Sequence, residues 1–224
     1  MTIPSAVPTG PPPAVSVDVV ILTILDDTLQ VLLVKRTHEP FKGMWALLGG
    51  FVKIEESLDD AARRQLLEKT GLGDIYLEQL YTFGDPTRDP RLRVITVAYY
   101  ALVPVGAVPS FPQEGDGSVV AWWPVRAHLA LAFDHAKIVS YALLRLRNKL
   151  DYTAVGTELL PERFTLSQLQ RVYEIIMGKS IDKRNFRKKI RGKEWLERAE
   201  GTRRDGPHRP AQLYRFVHHK SEAS

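Results

Sequence analysis

Carboxylates grouped on one face of a helix are the usual means of holding a hard divalent cation, which in turn polarises phosphoryl oxygens and activates water. The stretch "RRQLLEKTG", residues 63–71, has the frame of such a helix. Leu58, Ala62 and Leu66 recur at helical spacing, Asp59 and Asp60 suit a first turn, and Gly71 suits its end. The polar positions Gln65, Glu68 and Lys69 carry no charge, one negative and one positive, so they sum to zero. An ammonium about 4 Å from a cation repels it by roughly 4 kcal/mol per unit charge pair at intermediate dielectric. The residues have the spacing for metal-assisted phosphate chemistry without the charge for it.

From Gly50 the chain runs five residues to Glu56, seven more to Arg64, and then Gln65, Leu66, Glu68, Lys69, Gly71 and Leu72. This spacing resembles the Nudix box, G-x5-E-x7-R-E-U-x-E-E-x-G-U with U aliphatic. The resemblance implies an α/β/α sandwich with a mixed sheet, in which the box forms a loop and helix facing a nucleoside-diphosphate ligand. It also implies Mg²⁺-assisted pyrophosphate hydrolysis as the family's usual work. The family's metal-binding glutamates fall here at Gln65, Glu68 and Lys69, so a charge of −3 has become zero. Losing the metal costs roughly a thousandfold or more in rate. The expectation is a ligand cradle without efficient hydrolysis, needing neither metal nor cofactor, with Lys69 standing in for part of the cation's charge.

The downstream stretch "TFGDPTRDPRLRVITVAYY" is similar to the segment found in Nudix proteins that handle ADP-ribose. That similarity implies phosphate contacts from Arg88 and Arg91 and a ribose contact from Asp89; a polar turn with an internal Arg–Asp pair is the alternative. Arg36 at the end of "VLLVKR" and the "LLGGFV" stretch, which holds Gly49 and Gly50, would line the same cleft by the resemblance. Glu56 would help orient Arg64, and Leu48 stands where the family often has proline. The expected ligand set is Arg36, Gly49, Gly50, Glu56, Arg64, Glu68, Lys69, Arg88, Asp89 and Arg91.

The elements that must position these residues alternate in type. "VDVVILTILDDTLQVLLVKR" reads as two strands around an Asp26–Asp27 turn, "RVITVAYYALVP" and "GSVVAWWPV" as strands, and "DHAKIVSYALLRLRNKL" as a long helix started near His135. Interleaved strands and helices up to about residue 150 argue a mixed α/β domain. Residues 1–16 hold five prolines and read as a disordered arm. Residues 17–152 form the expected ligand-binding domain and 153–224 a smaller α+β domain.

Charge divides the chain at the same place. Residues 1–150 carry 15 Lys+Arg against 16 Asp+Glu, whereas residues 151–224 carry 16 against 10, so the positive excess lies in the last third. There Thr165 and Gln168 match a capping box before an apolar stripe of Leu166, Leu169, Val172, Tyr173 and Ile176, broken by Gly178. A shorter helix from Asp182 to Gly192 would put Lys183, Arg184, Arg187, Lys188 and Arg191 on one face and Phe186 and Ile190 on another. Two strands around a Gly/Pro/Arg-rich loop follow. Helix, turn, basic helix and hairpin is the order of a winged helix-turn-helix, with phosphate contacts supplied by Lys and Arg. Asn185 is the neutral candidate for reading adenine, and Arg203, Arg204 and Arg209 cluster at the wing.

The two halves together resemble the NrtR family of Nudix-related transcriptional regulators. The resemblance implies a homodimeric repressor of NAD-biosynthesis or salvage genes that binds a palindromic double-stranded DNA operator and releases it when ADP-ribose binds. The alternative is an active ADP-ribose pyrophosphatase using Glu55, Glu56 and Glu68 as metal ligands, with a basic accessory domain. An RNA-binding role is weaker, because the basic helix lacks interleaved exposed aromatics. The absence of cysteine excludes disulfides and thiolate chemistry. No secretory signal and no membrane-spanning apolar run are apparent, so a cytoplasmic location without membrane contact is expected.

Overall fold

The computed structural model describes residues 11–107, 119–127, 129–203 and 210–217. Strand β1, Ala14–Leu25, turns through Asp26 and Asp27 into β2, Thr28–Lys35. Both turn residues have positive φ, 47° and 56°, the conformation a two-residue hairpin needs to match strand twist and one that aspartate tolerates. The expected arm ended at residue 16, but Ala14, Val15 and Ser16 pair in parallel with Val94, Ile95 and Thr96. The backbone bonds offered by that neighbour outweigh the local composition.

Short strands β3, Trp45–Ala46, and β4, Leu48–Phe51, precede helix α1, Leu58–Thr70. Strands β5, Tyr76–Phe83, β6, Val94–Leu102, and β7, Val119–Pro124, complete a seven-stranded mixed sheet of order β3-β2-β1-β6-β5, with β4 on β1 and β7 on β2. Helix α2, His135–Lys149, closes the other face. Alternation along a strand sends odd and even residues to opposite faces. Val17, Val19 and Ile21 of β1 therefore meet Ala61, Ala62 and Leu66 of α1, while Val20, Leu22 and Ile24 meet Ile138, Ala142 and Leu146 of α2. The result is the expected α/β/α sandwich. Asp18 belongs to the even set and so faces the α2 side, where it is buried.

A 3-10 turn, Val155–Leu159, leads to strand β8, Arg163–Thr165, helix α3, Leu166–Met177, helix α4, Lys183–Arg191, and strands β9, Leu196–Arg203, and β10, Ala211–Phe216. These last three strands form a sheet of order β8-β10-β9. Both bonds of the Thr165–Gln168 capping box are present, Gly178 ends α3 at φ 71°, and Asp182 caps α4 by accepting from Asn185 N–H. The apolar layer continues across the boundary expected at 152/153. Leu169, Val172 and Ile176 of α3 share one cluster with Ile138, Ala142 and Leu146 of α2, and Arg147 Nε donates to Ile176 O at 2.9 Å. Among the described residues no helix is long and apolar enough to cross a membrane.

Candidate functional site

A cleft opens where the even face of β1, the glycines of β4 and the start of α2 meet. Six of the ten residues expected around the ligand line it, namely Arg36, Gly49, Gly50, Arg88, Asp89 and Arg91. Glu56, Arg64, Glu68 and Lys69 do not; they sit along the box loop and α1. Both glycines are required by proximity. A Cβ on Gly49 would lie 2.4 Å from Val17 O and 2.5 Å from Asp18 Oδ1, and one on Gly50 would lie 2.7 Å from the Gln65 side-chain amide.

The arginine of "TRDPR" that was expected at phosphate is turned inward. Arg88 Nη2 donates to Asp134 Oδ1 at 2.7 Å and Asp18 Oδ2 at 3.2 Å, and Nε donates to Asp134 Oδ2 at 3.1 Å. Burial pulls this guanidinium down, but Asp134 and Asp18 outweigh it and hold it above its ordinary value. Asp89, expected at a ribose hydroxyl, accepts instead from Arg91 N–H at 3.0 Å and from its Nε and Nη2 at 3.0 and 2.8 Å. These bonds hold its carboxyl below the usual range. The internal Arg–Asp turn is thus what the chain builds, and it forms part of the cleft wall. Arg36 is fixed by donation to Pro40 O at 2.7 Å and lies 4.8 Å from the Phe133 ring.

Phe51 of the "LLGGFV" stretch lines the cleft as expected, whereas Asp18 and Phe133, which line it, and Asp134, which pairs with Arg88, escaped the sequence reading. Asp18, alone among apolar neighbours in "VSVDVVILTIL", was a visible signal of a buried polar site. Phe133 carried none; its φ of 54° is a strained conformation for a bulky residue, of the kind that clusters at binding sites. His135 opens α2 as expected. Its Nδ1 accepts from Leu47 N–H at 2.9 Å, its Nε2 faces Asp18 Oδ1 at 3.5 Å, and burial pushes the ring's pKa down so that it stays neutral.

On the box, Glu56 orients Arg64 as anticipated. Arg64 Nε and Nη2 donate to its two oxygens at 2.8 and 2.7 Å, and Lys53 N–H adds a third bond at 2.7 Å. Together these hold the Glu56 carboxyl at about 2. Gln65 is buried, and its amide donates to Gly49 O at 3.1 Å while accepting from Arg64 Nη1 at 2.8 Å. An ionised glutamate has no proton for the first of those bonds. Glu68 is exposed, 3.5 Å from Arg64 Nη1, and Lys69 follows in the last turn. These donors do not suit a divalent cation. Among the described residues no three His, Asp or Glu side chains converge on a point that could hold one.

The second site is the outer face of α4. Lys183, Arg184, Arg187, Lys188 and Arg191 line one shallow groove, while Phe186 and Ile190 are buried behind them and Phe186 meets Tyr173 edge-on at 5.2 Å. Among the described residues none of the five makes an ion pair, and Arg187 Nε is buried without a hydrogen-bond acceptor. Arg187 and Arg191 also border Thr165, Ser167 and Gln212, which extends the face to the start of α3 and to β10. Asn185 is exposed but does not line this groove. At roughly 100° per residue it falls on the flank beside Lys189, which reaches Asp151 at 3.3 Å. Arg203 ends β9 in an exposed position; Arg204 and Arg209 lie outside the described residues.

The comparisons with known proteins match both halves. Residues 15–143 match the NUDIX domain family and residues 156–216 the NrtR DNA-binding winged helix domain. The chain is 41% identical over 209 residues to the ADPR responsive transcriptional repressor NtrR of Acinetobacter baylyi, covering 92% of this chain and 83% of that one. The crystal structure of Shewanella oneidensis NrtR complexed with a 27mer DNA superposes with a TM-score of 0.81 at 39% identity, over 91% of this chain and 93% of that one. The NUDIX domain of the same Shewanella protein, crystallised with ADP ribose, superposes with a TM-score of 0.53 at 38% identity, over 65% of this chain and 94% of that one.

Proposed function

The chain belongs to the NrtR family, a Nudix domain joined to a DNA-binding winged helix, and from that premise we propose that it is an ADP-ribose-responsive repressor of NAD-metabolism genes. It acts in the cytoplasm as a homodimer on a palindromic operator. The observation that carries this reading is the unpaired cationic face of α4, held through α3 and a shared apolar core to the helix that walls the ligand cleft. Lys183, Arg184, Arg187, Lys188 and Arg191 supply phosphate and base contacts, with the wing arginines Arg203, Arg204 and Arg209 adding to them. Two such faces about one helical turn of DNA apart, roughly 34 Å, require two copies related by a two-fold axis.

ADP-ribose occupies the cleft lined by Arg36, Gly49, Gly50, Arg88, Asp89 and Arg91. Efficient hydrolysis is not part of the function. Gln65 and Lys69 stand where the family has metal-binding carboxylates, Glu56 is committed to Arg64, and a sensor gains nothing by destroying its signal. An effector releases DNA only if it binds the two forms unequally. Gel shifts with ADP-ribose, at occupancy verified by calorimetry, should show weakened operator binding. Unchanged shifts at full occupancy would overturn the regulatory reading. Steady AMP release in Mg²⁺ or Mn²⁺ would instead favour an ADP-ribose pyrophosphatase with a basic accessory domain.

A further inference from the structure

We propose that Asp134 is the positioning residue that couples the ligand cleft to the DNA-binding face, exchanging Arg88 for the N-terminus of its own helix when a diphosphate enters. The proposal rests on the function above and supplies its route. Of the three guanidiniums at the cleft, Arg36 is held by Pro40 O, whereas Arg88 is paired with Asp18 and Asp134 and Arg91 with Asp89. A diphosphate gains the bonded donors of Arg88 and Arg91 only by taking them from those carboxylates. Arg88 has Nε and Nη2 engaged by Asp134 and Asp18, so a phosphate drawn to it competes with both.

Of the two, Asp134 is the one able to leave. Its side chain is 19% exposed against 9% for Asp18, which is hemmed in by His135 and Gly49. Asp134 is also the N-cap residue of α2, yet its carboxylate makes no capping bond, whereas Ser57, Thr165 and Asp182 each cap their own helices. In the first turn of α2, His135 N–H donates to Ala132 O and Lys137 N–H to Asp134 O, which leaves the Ala136 N–H as the second partner, and the helix dipole favours a carboxylate there.

That exchange moves the start of a rod. Helix α2 has 15 residues, about 22 Å at 1.5 Å each. At its far end Arg147 holds Ile176 O of α3, and its buried face shares the core of Leu169, Val172 and Ile176. Helix α3 in turn holds α4 through Tyr173 and Phe186. Close-packed interfaces pass on a shift as a body.

The test is the ratio of operator Kd with and without saturating ADP-ribose, using a duplex selected by the unmodified chain from a random-sequence pool. Asp134→Asn keeps the shape and removes the charge, and should weaken operator binding in the absence of ligand and cut the ratio at least threefold. Arg147→Met lies outside both sites and should cut the ratio similarly, with the calorimetric ADP-ribose affinity of the DNA-free protein changed less than threefold. Should Asp134→Asn fail to fold, Arg147→Met carries the test alone. Wild-type ratios in the folded variants would overturn the route while leaving the repressor reading intact. A ratio of one in the unmodified chain would overturn both.

Discussion

Arginines do opposite work in the two halves of this molecule. At the cleft each has a partner, Arg88 on Asp18 and Asp134, Arg91 on Asp89, and Arg36 on Pro40 O. On α4 the five cations of the outer face have no ion-pair partner among the described residues. The cleft is built by strand pairing that forces charges into a partly dry space, where an unpaired charge is costly. On the α4 face Lys183, Arg184, Lys188 and Arg191 are exposed to water, where unpaired cations cost little and keep their charge available for a polyanion. A count of basic residues does not distinguish them; only the partners do.

That contrast can be broken at its buried end first. Arg88→Ala leaves Asp18 and Asp134 facing each other without a cation, and should cost about 3–5 kcal/mol of stability, read by urea denaturation. A loss below 1 kcal/mol would mean the cleft charges are as independent as those on α4. Arg187→Ala should weaken operator binding by about 1–3 kcal/mol and lower the salt slope by about one unit, with ADP-ribose affinity unchanged. Joint loss of DNA and ligand binding, in a folded variant, would erase the division between the regions.

Two smaller effects sharpen it. Gln65→Glu gives up the donor to Gly49 O and should destabilise by about 1–2 kcal/mol at neutral pH, measured by chemical denaturation. Finding it neutral would assign no structural role to the amide. Finally, His135 is buried neutral with its pKa lowered, so below about 6.5 the unfolded chain binds a proton that the native state resists. Stability should fall as pH drops through that value, and His135→Asn should flatten this part of the profile. An identical slope in the variant would place the titration elsewhere.

What was legible beforehand follows the range of the interactions. The Asp26–Asp27 turn, the cap at Thr165, the stops at Gly71 and Gly178 and the two faces of α4 all depend on residues a few positions apart. Strands β4 and β5 were not anticipated, because each pairs with a distant neighbour and carries little alternation of its own. Asn185 was assigned to the reading face by residue type, and the helical angle puts it on the flank.

The chain's order of residues, taken alone, decided the two-part organisation, the family resemblance, the zero charge of Gln65, Glu68 and Lys69, and the basic face of a nine-residue helix. Each is a matter of composition or of spacing along one element. Tertiary structure decided which charges were available. Asp18 and Asp134 stand 116 positions apart and meet at Arg88 only because β1, the "TRDPR" turn and the start of α2 are brought together by a sheet whose register alternation along one strand cannot specify.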